Sequence, residues 1–174
     1  MVIVKSLIKP LIDLANEHGK NIAVDPKFNN FFEYKNVTVF KPNRKETEEV
    51  TGTRLKDAQE ISKAGSMLIG RLAAKNVLLT LGELGMSLFE SDGSVCHVPT
   101  RAQVVADVSG AGDTVISTLT IALAAGGTMK EAATLANFAG GIVCGYVGIV
   151  PIDKKELRER VLKESKSEAL SSKS

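Results

Sequence analysis

One stretch limits what this chain can become: Ala106-Asp107-Val108-Ser109-Gly110-Ala111-Gly112-Asp113-Thr114. Apolar residues lead into a serine, two glycines two positions apart, an aspartate and then a helix-like run from Val115 to Ala125. That order predicts a tight turn whose backbone amides gather at a helix N-terminus, with one carboxylate among them. A helix start carries partial positive charge and unpaired N–H donors, which suit phosphate. A carboxylate beside an anion site is placed to take a proton from an attacking hydroxyl. Phosphoryl transfer is the chemistry this points to. Read alone, the stretch is accounted for equally well by a plain strand-to-helix turn with an aspartate at a dipole-favoured position.

The remaining chain alternates helices and strands. Leu7, Ile8, Leu11, Ile12 and Leu14 are spaced for one buried helical face within residues 2–18, and Pro10 is expected in the first turn of its regular part. Gly19 ends that helix, and Asn21 to Asp25 reads as a short buried strand stopped by Pro26. A loop bearing Phe28, Phe31, Phe32 and Tyr34 is expected to fold over the sheet edge. Val37 to Phe40 is the next strand, and Asn43 caps a helix. Asp57 to Ala74 is an amphipathic helix burying Ile61, Ala64, Met67, Leu68 and Leu72. Asn76 to Leu81 reads as a strand buried on both faces. Asp92-Gly93 signals a hairpin between Met86–Phe89 and Val95–Val98. Helices are expected over 114–126, 128–146 and 154–163, the second of them rich in small residues for close packing. Residues 1–163 form one domain in this reading, and the Ser-, Lys- and Glu-rich 164–174 a disordered tail. The alternation predicts an α/β sandwich with a mostly parallel sheet. The first helix has no strand before it, so Met1 reads as the start of a fragment.

Composition removes several classes. With 22 basic and 20 acidic residues the formal net charge is +2, and no basic block interleaves with aromatics, which argues against nucleic-acid binding. No apolar run approaches the roughly 18 residues that cross a bilayer. A secretory signal is lacking, and a cytoplasmic protein is expected. Cys96 and Cys144 give no disulfide framework, and His18 and His97 no metal-ligand spacing.

Two familiar phosphate motifs fail: there is no Gly-x-x-x-x-Gly-Lys-Ser/Thr, and Val115 stands where a dinucleotide fingerprint needs a third glycine. Three other places bear on the opening stretch. Asn43 and Glu46 lie three apart on one helical face, as a capping box or as a pair able to hold hydrated Mg²⁺ and a phosphate oxygen. Thr80, Gly82 and Gly85 end a buried strand, as a turn or as a place where a nucleotide approaches the backbone. Asn137, polar in a small apolar helix, faces either an adenine or a helix partner.

In this order the residues resemble the ribokinase-like carbohydrate kinases, the phosphofructokinase-B family. Asn43-x-x-Glu46, Thr80-x-Gly82-x-x-Gly85, Asp107-x-x-Gly110-Ala111-Gly112-Asp113 and Ala136-Asn137 match that family's C-terminal part, over about residues 4–163. Within it, Val24-Asp25-Pro26-Lys27, Gly85-Met86-Ser87-Leu88 and Gly110 to Val115 are most like the kinase part of heptose-7-phosphate kinase/ADP-heptose synthase proteins. The resemblance implies a three-layer α/β/α sandwich and an ATP-dependent kinase acting on a sugar phosphate, with heptose 7-phosphate favoured. Asp113 is then the base, and the amides of Gly110, Ala111 and Gly112 the anion hole. Asn43 and Glu46 position Mg²⁺ through water, Thr80, Gly82 and Gly85 border the nucleotide, and Asn137 lies near the adenine. Asp107 and the Gly148 region resemble parts of a monovalent-cation site, and Lys27 is placed to meet the sugar's own phosphate.

Family members are longer, and their N-terminal half supplies the first strands, most sugar contacts and the lid. The implied expectation is a nucleotide-binding and catalytic-base portion with little turnover by itself. Its partner would be the N-terminal half or, as a homodimer, another copy of the chain. A non-catalytic nucleotide-binding or assembly module, and a kinase for another sugar or nucleoside, are the alternatives.

Overall fold

A computed structural model describes residues 4–101 and 105–171, with side chains to residue 166. Helix α1 (Lys5–Glu17) leads to strand β1 (Ala23–Val24), a 3-10 helix (Phe28–Glu33), β2 (Val39–Phe40), α2 (Arg44–Thr51), α3 (Ala58–Leu72) and β3 (Asn76–Thr80). A 3-10 turn (Gly82–Leu84) then enters the hairpin of β4 (Met86–Glu90) and β5 (Val95–Val98), followed by α4 (Ala111–Ala124), α5 (Met129–Val143) and α6 (Lys154–Ser171). The sheet order is β1-β2-β3-β4-β5. β1, β2 and β3 pair in parallel, and β4 runs antiparallel to both β3 and β5, so β4 alone opposes the other strands.

Strand alternation divides the core into two layers around the sheet. Phe40, Val77, Leu79 and Phe89 face a cluster with Ile8 and Ile12 of α1, Phe31, and Leu68 and Leu72 of α3. Val39, Leu78, Leu88 and Val98 face the other way, onto Val115 and Leu119 of α4 and Ala132, Ala133 and Ala136 of α5. The result is the expected α/β/α sandwich. The aromatic segment, expected over the sheet edge, packs instead into the first layer, with Phe31 edge-on against Phe32 and Phe40 at 5.1 and 4.9 Å between ring centres. The Asp92-Gly93 hairpin also forms, with Gly93 N–H donating to the Glu90 carbonyl at 3.0 Å and Ser94 N–H to Asp92 Oδ1 at 2.8 Å.

Four local expectations are corrected. Pro10 lies inside α1 rather than in its first turn. It sits on the exposed side, as does Ser6, whose carbonyl loses the helix bond that proline cannot donate. Only Ile8 and Ile12 of α1 are buried; Leu7, Leu11 and Leu14 are half exposed because the helix touches the core along a narrow line. Met67 of α3 is likewise at the surface, and Ala64, Gly65, Leu68 and Leu72 carry that contact. At the other end α6 continues past Lys163 to Ser171. Residues 164–171 contain no glycine or proline and several strong helix formers, and Arg101 pairs with Glu164.

Candidate active site

The C-terminal ends of β1, β2 and β3 and the start of α4 open onto a cleft of about 710 Å³, lined among others by Asp25, Lys41, Asn43, Thr80, Gly110–Asp113 and Asn137. Ligands in open α/β sheets bind outside the carboxyl ends of the strands, which is where this cleft lies. Lys27, Gly82 and Gly85 border it as well. Of the residues singled out in the sequence, Glu46 and Asp107 stand behind the lining, each held by a neighbour of it.

The start of α4 is open. Gly110 precedes the helix with φ +77°, a left-handed conformation suited to glycine, and no side chain caps the first turn. The Ala111 amide makes a 3.3 Å turn bond to the Val108 carbonyl, whereas those of Gly112 and Asp113 have no partner among the described residues. Those two donors and the positive end of the helix dipole face the cleft. The Asp113 carboxylate is exposed beside them, with no hydrogen bond or ion pair among the described residues.

The start of α2 is closed. Asn43 Oδ1 accepts from Glu46 N–H at 2.8 Å, and Asn43 N–H donates to Glu46 Oε2 at 2.9 Å, a complete capping box. Glu46 Oε1 lies 3.6 Å from Lys27 Nζ, whose chain is largely exposed and also stands 4.0 Å from Asp25 Oδ2. Asn43 bridges to Thr80, and Thr80 N–H donates to the Pro42 carbonyl at 3.0 Å, so the helix start and strand end form one wall. No group of three or more His, Cys, Asp or Glu suited to a metal occurs among the described residues. Asn43 and Glu46 place an amide and a carboxylate at the edge of the cleft, groups of the kind that meet hydrated Mg²⁺ through water.

Gly85 has φ +82°, and a Cβ there would stand 2.2 Å from the Val98 carbonyl oxygen, so the turn after β3 can press against the end of β5. Asn137 is buried, and its Nδ2 donates to the Pro99 carbonyl at 2.6 Å. It ties α5 to the exit of β5 while lining the cleft. Asp107 joins two loops: Oδ1 accepts from Ser109 N–H at 2.9 Å and Oδ2 from Gly148 N–H at 3.0 Å. These bonds, that of Ser109 foremost, hold its carboxyl below the usual aspartate range. Cys144, whose carbonyl accepts from the Ala106 and Asp107 amides, has its thiol raised by burial and then by the Asp107 charge.

Sequence reasoning missed the Asp25–Lys41 pair, whose Nζ···Oδ1 distance is 3.1 Å. Its signal was available: Lys41 directly follows an apolar strand, at a position where alternation points back into the core.

Residues 4–155 match the pfkB family carbohydrate kinase model, and the chain belongs to that family. The protein described as bifunctional protein HldE of Desulfatibacillum aliphaticivorans is 41% identical over 160 residues, covering 92% of this chain and 33% of the relative. The HldE protein of Nitrosococcus oceani is 48% identical over 149 residues, covering 86% of this chain and 31% of the relative. The chain thus spans about a third of these relatives. Arabidopsis thaliana ribokinase, solved with ribose and ATP, superposes with a TM-score of 0.80 at 24% identity over 90% of this chain and 52% of that one. At that identity the match speaks for the fold. Among the described residues no helix is long and apolar enough to cross a membrane.

Proposed function

We propose that this chain is the nucleotide-binding and catalytic-base portion of an ATP-dependent sugar kinase whose acceptor is heptose 7-phosphate. The observation that carries this reading is the uncapped start of α4, with the open amides of Gly112 and Asp113 beside the unpaired Asp113 carboxylate. The acceptor's hydroxyl oxygen attacks the γ-phosphorus, its proton passes to Asp113, and the bond to the β,γ-bridging oxygen breaks with its electron pair leaving on ADP. The amides of Gly110, Ala111 and Gly112 are assigned to the anion hole; Gly112, open in this structure, contributes first, with the Asp113 amide beside it. Thr80, Gly82 and Gly85 border the nucleotide, and Asn137 meets the adenine through its amide oxygen, since its nitrogen is engaged. Mg²⁺, held through water near Asn43 and Glu46, supplies charge neutralisation on the phosphates. Asp107 and the Gly148 loop are assigned to a monovalent cation, and Lys27, exposed on the rim, to the acceptor's own phosphate.

The choice of heptose phosphate rests on the likeness to the bifunctional HldE proteins. The test is ADP formation from Mg·ATP and heptose 7-phosphate by this chain, alone and with the N-terminal kinase segment of a relative added. Turnover on complementation is the expected result; nucleotide binding without turnover in either mixture overturns the kinase assignment. A second reading, a non-catalytic nucleotide-binding or assembly module, is favoured by the exposed Leu7, Leu11 and Leu14 on α1. These offer a surface to an N-terminal half or to a second copy in a homodimer. A cytoplasmic location belongs to the same proposal.

A further inference from the structure

A second cavity, of about 520 Å³, lies between α5, α6 and the segment that leaves β5. Its origin is in the sequence of α6. Leu157, Arg160, Val161 and Glu164 recur at the i, i+3, i+4, i+7 spacing of a stripe that faces a core, and all four are half-buried. Opposite them α5 presents Phe138 and Ile142, one turn apart and 8% and 5% exposed. Apolar side chains at 160 and 164 would pack onto that pair; an arginine and a glutamate do not, and the space stays open. Arg101 forms a further wall. Its guanidinium carbon lies 5.3 Å from the centre of the Phe138 ring, and it pairs with Glu164.

A water-filled gap under a terminal helix is the plain explanation, and it leaves the charge unexplained. Three cationic side chains, Arg101, Arg160 and Lys163, line the cavity against one carboxylate. That carboxylate, Glu164, is taken by Arg101, and Arg160 and Lys163 form no hydrogen bond or ion pair among the described residues. Glu156, one turn before Arg160, accepts from the Tyr146 hydroxyl at 2.9 Å instead. Like charges gathered around one concavity repel each other and raise the local concentration of anions. The floor is of the other kind, one aromatic ring and one branched aliphatic chain. An apolar floor with a few convergent polar groups, in a space of roughly 300–1,000 Å³, is the usual make-up of a small-molecule site.

We propose that this cavity is a second ligand site, which takes a small organic phosphate and acts on the cleft as an effector site. The phosphate sits between Arg160 and Lys163, neighbours at i and i+3 on α6, where a guanidinium and an ammonium supply charge-assisted hydrogen bonds. The organic part lies on Phe138 and Ile142, and Arg101, held by Glu164, closes the wall beside it. The route to the cleft is short. Thr100 lines both cavities, and Phe138 directly follows Asn137, which lines the cleft and donates to the carbonyl of Pro99, the residue before Thr100. An occupant that moves Thr100 or turns α5 therefore reaches the cleft through adjoining residues. The effector role rests on the nucleotide-binding reading above; the ligand site does not.

The probe is phenyl phosphate, which has both parts, with inorganic phosphate and phenol as its separate halves. Each is titrated into the isotope-labelled full chain of 174 residues, and backbone amide shifts are followed by NMR. Wild type is compared with the double variant Arg160→Gln/Lys163→Gln; neither side chain is buried, and thermal melts confirm folding. The expected result is saturable binding of phenyl phosphate with shifts over residues 138–142 and 160–164. Affinity should be at least about 10-fold lower in the double variant, and at least about 10-fold lower for either half of the probe alone. With the cavity filled, the ATP dissociation constant measured by calorimetry should change by about 5-fold or more. Shifts confined to residues 110–113, or an affinity that survives the double variant, overturn the ligand site. Unchanged ATP affinity with the cavity filled overturns the effector role. A chain that binds the probe in the cavity and takes no nucleotide upholds the ligand site, and it is the phosphoryl-transfer reading, with the effector role, that then falls.

Discussion

Helices α2 and α4 both begin in the wall of one cleft, and their first turns are built in opposite ways. α2 is closed on itself by the reciprocal bonds of Asn43 and Glu46. α4 starts at a left-handed glycine with no cap, and its Gly112 and Asp113 amides are left to the solvent. A closed box stabilises a helix by about 1 kcal/mol over an alanine start. An open one forgoes that stabilisation, and its amides and dipole are free to meet an anion. Under the proposed function the contrast would give the two motifs different roles, α4 making the direct contacts and α2 framing them. α5, capped by Thr128 and Glu131 away from the cleft, shows the closed arrangement with no ligand in reach.

The largest effect is expected at the open end. Asp113→Asn keeps the shape of the first turn and removes the proton acceptor. In the complemented kinase assay, turnover should fall by about 10²- to 10⁴-fold. Affinity for Mg·ATP should stay within about twofold by calorimetry, and retention of full turnover would remove Asp113 from the mechanism. Next comes Gly110→Ala. The left-handed φ of +77° and a contact of 3.1 Å between the new Cβ and Ile149 Cγ2 both oppose it. Stability in urea should drop by about 1–2 kcal/mol, and ATP binding should weaken with it, because the amides lose their aim.

The closed ends give a matched pair of smaller effects. Asn43→Ala and Thr128→Ala each delete one half of a capping box, and each should lower stability by about 1 kcal/mol. Only the first should also alter the Mg²⁺ dependence of nucleotide binding. If both variants bind Mg·ATP like wild type, the α2 box is structural and the proposed role of Asn43 near Mg²⁺ is lost.

Much of this contrast was legible before the structure. The Gly110-Ala111-Gly112-Asp113 turn, the Asn43/Glu46 cap and the alternation of strands and helices are local patterns, and they fall where spacing places them. Which apolar residues of α1 face inward was not legible, because Leu7, Leu11 and Leu14 share the periodicity of a buried face and lack a neighbour to cover them. The engagement of Asn137 with the Pro99 carbonyl was also hidden, since it joins positions 38 apart in the chain. Lys41 was overlooked for a related reason. A single basic residue after a strand looks like surface until its partner Asp25, from the neighbouring strand, is seen beside it.

The smallest expected effect concerns the loop that leads into the open helix. Asp107 staples residues 105–110 to the Gly148 loop through the Ser109 and Gly148 amides, and these bonds lower its carboxyl from the ordinary value. A carboxylate whose folded pKa lies below its unfolded one contributes stability that is fully present above the unfolded pKa of about 3.9. That contribution is lost as pH falls from there through the folded pKa. Wild type should therefore lose thermal stability more steeply than Asp107→Asn as pH is lowered from 5 to 3, and the two should run parallel between pH 6 and 8. The variant's side-chain amide keeps an oxygen for one of the two backbone donors, so the loop is loosened rather than released. Equal acid slopes would mean that the two bonds form in the unfolded ensemble too, or add nothing to the fold. The α4 turn would then owe its open geometry to Gly110 alone.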